Sequence, residues 1–212
     1  MKLYLSSYKI GNKTNELKKW IDVHGNKIAI IANAKDQYTD LARVESGTTD
    51  DISQLEAIGF EVQRLNLRDY FDKKGKLRTD LQEIKAFYVV GGNTFVLRRA
   101  MKLSGFDVLL KEFSLRSDIL YAGYSAGICV LAPNMRAIAV MDEPEINPYN
   151  TDTHPIYQGI GLIAYSPIPH FESVHSETEA ASCAVDYCIK NDIIYKTLRD
   201  GDVMIEYTND TI

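Results

Sequence analysis

The stretch YAGYSAGICVLA, residues 121–132, is the most informative part of this 212-residue chain about its fold. It joins an apolar, strand-like run to an apolar helical run, and Ser125 stands at the junction between Gly123 and Gly127. In a G-x-S-x-G turn between a strand and a helix, the serine hydroxyl is exposed at the carboxyl end of a sheet, and the glycines let strand and helix approach each other. The pattern favours a nucleophilic serine. The alternative is a tight strand-to-helix turn without chemistry.

Strand-like and helix-like segments alternate on both sides of this turn. Short runs that are apolar on consecutive residues predict buried parallel strands, and segments with apolar residues at helical spacing predict the helices between them. The alternation predicts a single α/β domain over residues 1–212, in three layers, with a mostly parallel sheet and helices on both faces. The predicted strands are 2–8, 27–33, 60–67, 86–92 and 119–124, and the predicted helices are 15–23, 48–59, 94–103, 106–116, 126–132 and 176–190.

Two segments between these elements are expected to be irregular. The basic segment DKKGKLR, residues 72–78, is balanced by nearby acids and predicts a solvated loop. All six prolines lie between Pro133 and Pro169, which predicts a long loop. Long irregular insertions in compact domains are often functional, and whether this one closes over a site as a lid is left open.

Local signals mark the ends of several elements near the carboxyl terminus. Ser176 and Glu179 have capping-box spacing, which predicts the start of the last helix at Ser176. The dipeptide Asp200-Gly201 between two apolar runs predicts a β-hairpin.

Composition restricts the class of protein. A net charge of −5 argues against a nucleic-acid partner, because phosphate binding needs clustered lysine and arginine. No apolar run has transmembrane length, and the apolar run near Met1 is too short for a signal peptide. Three cysteines without C-x-x-C spacing predict reduced thiols in a cytoplasmic protein, with neither a disulfide framework nor a metal site.

A nucleophilic serine needs a general base, and the chain has four histidines. His170 lies between Pro169 and an aromatic residue in the segment SPIPHFES, where a rigid loop would orient it. His24, His154 and His175 lie in a helix-ending loop, in the irregular segment and before the next helix, respectively. His170 is therefore the best candidate base, and a packed loop histidine is the alternative.

The base usually needs an acid that orients it and stabilises the imidazolium. The segment AVMDEPEINP lies between the serine and the histidine and offers Asp142, Glu143 and Glu145. A surface turn rich in acids has the same composition, so the residues themselves do not choose among the three.

Backbone N–H groups for a developing oxyanion are expected at two places. The residue after the nucleophile, Ala126, has its N–H at a helix N-terminus. The glycine turn VVGGNTF, residues 89–95, ends the preceding predicted strand and can supply the second donor. A plain turn is the alternative, and neither a dinucleotide-binding G-x-G-x-x-G pattern nor a P-loop is present.

Together these motifs resemble the peptidase E family, which comprises aspartyl dipeptidases and, more distantly, cyanophycinases. Their order and spacing agree with that family over nearly the whole chain. The matching motifs are GGNTF (91–95), GYSAG (123–127), P-x-x-R (Pro133 and Arg136), PHFE (169–172), SETEAA (176–181) and LRDGD (198–202).

The resemblance implies a fold like that of class I glutamine amidotransferases and a serine peptidase with a Ser-His-acid triad. It implies Ser125 as nucleophile, His170 as base, and the N–H groups of Gly92 and Ala126 as the oxyanion hole. It also implies Asn93 as a substrate-binding residue and no metal or organic cofactor. The family's acid lies roughly where Asp142 and Glu143 stand; aspartyl dipeptidases resemble Asp142 and cyanophycinases Glu143, and Asp142 is slightly favoured.

One departure from the family puts the substrate in doubt. Aspartyl dipeptidases carry an arginine after a Glu-Thr pair, where it binds the acidic side chain of the substrate, but this chain has Glu179 there. A carboxylate would repel an aspartate substrate. The expected function is a serine dipeptidase acting on small peptides, some with an N-terminal aspartate. The alternatives are an esterase or amidase and a non-catalytic family member. No nucleic-acid or membrane partner is expected, and a homodimer is left open.

Overall fold

The computed structural model describes residues 1–151 and 154–208. Its strands are β1 (Lys2–Ser6), β2 (Lys27–Ile31), β3 (Glu61–Arg64), β4 (Ala86–Val89), β5 (Leu120–Tyr124), β6 (Ser166–Ile168), β7 (Tyr195–Thr197) and β8 (Val203–Tyr207). Its α-helices are α1 (Thr14–His24), α2 (Leu41–Ile58), α3 (Lys74–Asp80), α4 (Thr94–Ser104), α5 (Phe106–Phe113), α6 (Ala126–Cys129) and α7 (Thr178–Lys190).

A six-stranded sheet in the order β3-β2-β4-β5-β1-β8 forms the centre of the molecule. The first five strands are parallel, and β8 is antiparallel to β1 at one edge. Parallel strands place their carboxyl ends along one edge of a sheet, which is where open α/β folds bind ligands. The segments that follow β1, β2, β4 and β5 therefore meet at this edge.

Alternate residues of each strand pack into separate cores on the two faces of the sheet. In β4, Phe87 and Val89 join a core with α4, α5, α6 and α7, whereas Ala86 and Tyr88 join a core with α1 and α2. Because side chains along a strand alternate between faces, a strand that is apolar on consecutive residues must be covered on both sides. The predicted fold class, a mostly parallel sheet with helices on both faces, is confirmed.

Helices α2, α5 and α6 differ from their predicted bounds by three residues or more at one end, and α3 was not predicted as a helix. Helix α2 begins at Leu41, seven residues before the Thr48 signal, because Asp40 caps it by accepting the N–H of Arg43 at 3.0 Å. The segment predicted as a solvated loop at 72–78 contains α3, whose Leu77 is buried in the core. Helix α6 ends at Cys129, well before Pro133.

The predicted hairpin at Asp200-Gly201 is wrong. Strand β8 pairs with β1, whereas β7 pairs in parallel with β6 in a separate two-stranded sheet. The turn that carries Asp200 therefore connects two sheets. The predicted capping box is also absent, because α7 begins after Glu177 without a side-chain cap.

The proline-rich segment 133–169 is largely irregular in its described part, as predicted; residues 152 and 153 lie outside the described part. It contains one 3-10 turn, Ile138–Val140, and strand β6 at its end. None of the helices within residues 1–151 and 154–208 combines the length and apolar character needed to cross a bilayer.

Candidate active site

Ser125 stands at the carboxyl end of β5 with a backbone conformation that side chains rarely adopt. Its φ is 49° and its ψ −117°, and the positive φ marks local strain of the kind stored at functional turns. The flanking glycines make the turn sterically possible. A Cβ on Gly123 would lie 2.8 Å from the Val89 carbonyl oxygen, and one on Gly127 only 2.2 Å from it. The G-x-S-x-G pattern is therefore required by the close approach of this turn to β4.

The two predicted oxyanion donors belong to Gly92, which lines the same cavity as Ser125, and to Ala126, which follows Ser125 in the chain. Gly92 follows β4 with φ 142°, and a Cβ there would lie 2.4 Å from the Ala34 carbonyl oxygen, so only glycine fits. Ala126 begins α6, and a first helical residue has no acceptor for its N–H within its own helix. Among the described residues, neither N–H donates to another backbone carbonyl. Both groups are thus free to bind an oxygen of a substrate.

Asn93 fixes the glycine turn. Its side-chain oxygen accepts the N–H groups of Phe95 and Val96 at 2.8 and 3.0 Å, and its amide nitrogen donates to the Glu143 carbonyl at 3.0 Å. The side chain is buried and does not line the cavity beside Ser125. The structure therefore gives Asn93 a positioning role at the N-terminus of α4, where substrate binding was expected.

His170 lies in the loop after β6 and is held from three sides. Its Nδ1 is hydrogen-bonded to Oδ1 of Asp200 at 2.8 Å, its N–H donates to Ser7 Oγ at 2.8 Å, and its carbonyl accepts the Thr178 hydroxyl. Burial lowers the pKa of His170 from its usual value, and the neighbouring imidazole of His175 lowers it further, against the opposing effect of Asp200. A neutral imidazole that donates Nδ1–H to the carboxylate has its lone pair on Nε2, as a general base requires.

Among the described residues, neither predicted acid, Asp142 or Glu143, contacts this histidine, and the carboxylate at its Nδ1 is that of Asp200. Asp142 Oδ2 instead accepts the N–H of Thr94 at 2.8 Å, at the N-terminus of α4. Burial raises the pKa of Asp142 to about 6. Glu143 is exposed and contributes its backbone carbonyl to Asn93.

Ser7, directly after β1, connects the parts of the site. Its carbonyl accepts the N–H of Ser125 at 3.1 Å, and its hydroxyl accepts from the His170 N–H and donates to Asp200 Oδ1 at 2.9 Å. The side chain is fully buried. One residue at the carboxyl end of a central strand therefore contacts Ser125, His170 and Asp200 at once.

Ser125 and His170 line one cavity of about 450 Å³ at the carboxyl edge of the sheet. Its lining includes three cations, Lys9, Lys35 and Arg43. The remaining lining comes from three tyrosines, the glycine turn, part of α2 and the segment before α7: Tyr8, Tyr38, Thr39, Asp40, Val44, Gly47, Gly91, Gly92, Tyr124, His175 and Glu177. A cavity of this size suits a small molecule.

A buried carboxylate holds the two lysines of the cavity lining. Asp51 of α2 contacts Lys9 Nζ at 2.7 Å and Lys35 Nζ at 3.1 Å, and accepts the Tyr124 hydroxyl at 3.1 Å. Tyr124 directly precedes Ser125, so this network links the two lysines to the elbow. Glu179, which replaces the family arginine, is exposed and does not line the cavity.

The described residues contain one group of side chains with ligand atoms close enough to hold a metal ion. His170, His175 and Glu177 place one such atom each within 4.8 Å of one another. The two imidazole rings are stacked, however, with centroids 3.8 Å apart and planes inclined by only 9°. Metal ions bind in the plane of an imidazole, and two parallel planes do not meet, so this arrangement does not favour a shared ion.

Sequence reasoning missed Asp200 and Ser7. The signal for Asp200 was its place in the LRDGD motif, which hairpin geometry explained equally well. The signal for Ser7 was its position just after a buried strand, the position from which open α/β folds present ligand-binding groups.

Comparison with known protein families identifies peptidase family S51, whose model matches residues 13–212. Among individual proteins, an uncharacterized peptidase of Listeria monocytogenes serovar 1/2a is 28% identical over 174 residues, covering 81% of this chain and 78% of the relative. An uncharacterized peptidase of Listeria innocua serovar 6a is 26% identical over 166 residues, covering 78% of this chain and 74% of that protein.

Two solved structures share the fold. A candidate peptidase E from Listeria monocytogenes EGD-e superposes with a TM-score of 0.71 at 24% identity, covering 97% of this chain and 98% of that one. A peptidase from an acI-B1 actinobacterium gives a TM-score of 0.69 at 16% identity, covering 97% of this chain and 83% of that one.

Proposed function

Since this chain belongs to peptidase family S51, we propose that it is a serine exopeptidase that hydrolyses small peptides through Ser125, His170 and Asp200. The observation that carries the proposal is the pairing of His170 Nδ1 with Asp200 at 2.8 Å beside a cavity that Ser125 also lines. A strained serine, a base with its acid, and free N–H groups are the parts that acyl transfer needs.

The reaction follows from these positions. His170 Nε2 accepts the hydroxyl proton as Ser125 attacks the carbonyl carbon of the scissile peptide bond. The N–H groups of Gly92 and Ala126 stabilise the oxyanion, and Asp200 stabilises the imidazolium. His170 then gives the proton to the leaving amine, which breaks the C–N bond and leaves an acyl-Ser125 ester. A water molecule, deprotonated by His170, hydrolyses that ester and releases the acid.

The cavity supports a small substrate with an acidic side chain as one candidate. Lys9, Lys35 and Arg43 supply positive charge to the cavity lining, which offsets the absence of the family arginine at Glu179. We therefore include peptides with an N-terminal aspartate in the proposed substrate range, recognised by these cations.

The test is hydrolysis of X-Leu dipeptides, with X varied through all amino acids, by the wild type, Ser125→Ala and Ser176→Ala. Ser176 is exposed and outside the cavity, so its variant is a matched control. We expect cleavage that Ser125→Ala abolishes and Ser176→Ala retains. Cleavage of esters without cleavage of any dipeptide would refute the peptidase proposal and identify an esterase with the same nucleophile.

A further inference from the structure

Glu177 is a carboxylate in the catalytic cavity without a permanent cationic partner. Its Oε2 lies 3.7 Å from Nε2 of His170, and its side chain is 43% exposed. Within the described part of the chain, that contact is its sole ion pair, and it requires a protonated histidine. Because burial lowers the pKa of His170, the imidazole is largely neutral near pH 7 and leaves the negative charge of Glu177 uncompensated.

The other carboxylate that lines the cavity is already engaged. Asp40 caps α2 by accepting the N–H of Arg43 at 3.0 Å. The Glu177 carboxylate, by contrast, accepts no hydrogen bond among the described residues, because its contact with His170 Nε2 at 3.7 Å is too long to be one. It stands just before α7.

The position of Glu177 suits an interaction with the α-ammonium group of the first residue of a peptide. Nε2 of His170 has to reach the Ser125 hydroxyl, so a carboxylate beside Nε2 also lies beside the scissile carbonyl. When that carbonyl belongs to the first residue of a peptide, its α-ammonium nitrogen is roughly 2.5 Å from the carbonyl carbon. A charge-assisted hydrogen bond from this ammonium to Glu177 spans the remaining distance.

We propose that Glu177 binds the free α-ammonium group of the substrate and thereby restricts the enzyme to the amino-terminal residue of a peptide. This assignment rests on the proposed peptidase function and adds a specificity-determining residue to it. Three of the other charged side chains that line the cavity, Lys9, Lys35 and Arg43, are cations that repel an ammonium group, so Glu177 is the favourable place for it.

The first experiment measures kcat and KM for the best X-Leu dipeptide and for its des-amino analogue, in which hydrogen replaces the ammonium group. Glu177→Gln keeps the shape of the side chain, and Glu179→Gln is the matched control for net charge. The amide oxygen of Glu177→Gln still accepts a hydrogen bond but carries no charge. We therefore expect KM for the free amine to rise by about 5- to 10-fold, the difference between a charged and a neutral hydrogen bond. The des-amino analogue should be unaffected, and Glu179→Gln should change neither substrate.

A fall in kcat for both substrates, together with a shifted pH profile, would overturn the assignment, because Glu177 would then act through His170. Equal KM values for the free amine in Glu177→Gln and the wild type would overturn it as well.

A second readout is independent of turnover. A fluorophosphonate probe labels an active serine nucleophile, and L-amino acid amides should protect Ser125 better than their des-amino counterparts do. Glu177→Gln should abolish that preference, and an unchanged preference would refute the role of Glu177. If the probe labels Ser125 but no dipeptide is cleaved, the proposed peptidase function fails, and the protection experiment still decides whether Glu177 binds an ammonium group.

Discussion

Replacing Asp200 by asparagine is expected to remove most of the activity and to leave the fold intact. Asparagine has the shape of aspartate but no charge, so the loop after β7 keeps its packing. Its amide group can donate to His170 Nδ1, which would place the imidazole proton on Nε2 and remove the lone pair that accepts the Ser125 proton. It also cannot stabilise the imidazolium that forms during the reaction.

The size of the loss can be estimated from the geometry. Opposite unit charges at the observed 2.8 Å attract by about 6 kcal/mol at an effective dielectric constant near 20. The Asp200 side chain is 21% exposed, and water screening reduces the effect to about 3–5 kcal/mol. At about 1.4 kcal/mol per factor of ten, kcat should fall by about 10²- to 10⁴-fold.

The assay compares kcat and KM of Asp200→Asn with those of Asp142→Asn and Glu143→Gln, on the best dipeptide. The Asp142→Asn variant would keep a side-chain oxygen that accepts the N–H of Thr94, and the Glu143 side chain is exposed, so both variants should lose no more than about tenfold. Circular dichroism and Tm would show that each variant is folded. If Asp142→Asn lost as much activity as Ser125→Ala while Asp200→Asn remained near wild type, the assignment of Asp200 would be refuted.

Three further predictions concern the surroundings of the triad. Activity should fall as pH drops through the lowered pKa of His170, so the acid limb of the kcat/KM profile should lie below pH 6.5. His175→Phe keeps a stacked ring without charge and should move that limb to higher pH, and an unmoved limb would contradict the electrostatic coupling of the two histidines. Gly127→Ala should lower the free energy of unfolding, measured in urea, by about 1–3 kcal/mol or more, because the added Cβ meets the β4 backbone. Gly75→Ala, which has open space around it, should be neutral or stabilising by up to about 1 kcal/mol, and equal urea midpoints for the two variants would refute this prediction. Ser7→Ala leaves the buried backbone N–H of His170 without its acceptor. It should lower the free energy of unfolding by about 1–3 kcal/mol, which corresponds to a Tm lower by about 2–10 °C, and it should also lower kcat. A variant with wild-type kcat would show that this hydroxyl does not position the triad.

The sheet could be predicted from the sequence because its signals are local. A strand covered on both faces must be apolar on consecutive residues, and 27–33 and 86–92 show this directly, so β2 and β4 were found with errors only at their ends. Helix α3 was missed because its segment is polar and Leu77 is its one apolar side chain. The start of α2 was misplaced because several Thr and Asp residues compete as caps, and the sequence does not show that Asp40 is the one that accepts a first-turn N–H.

Of the site, the nucleophile and the base were predicted to lie together, and the structure places Ser125 and His170 on one cavity. The acid could not be predicted, because a carboxylate near the histidine in sequence has no advantage over one that a distant turn brings to Nδ1. Asp200 is 30 residues from His170 and reaches it through the connection between β7 and β8.

The order of residues along the chain is enough to show where this protein can do chemistry. Gly123, Ser125 and Gly127 specify the elbow, because no larger side chain fits against the β4 carbonyl, and that constraint can be recognised from neighbouring residues alone. Which groups act together depends on the folded arrangement. Parallel strands bring segments from all parts of the chain to one edge of the sheet. The contacts of His170, Ser7 and Glu177 therefore depend on distances across that edge, which sequence separation does not encode.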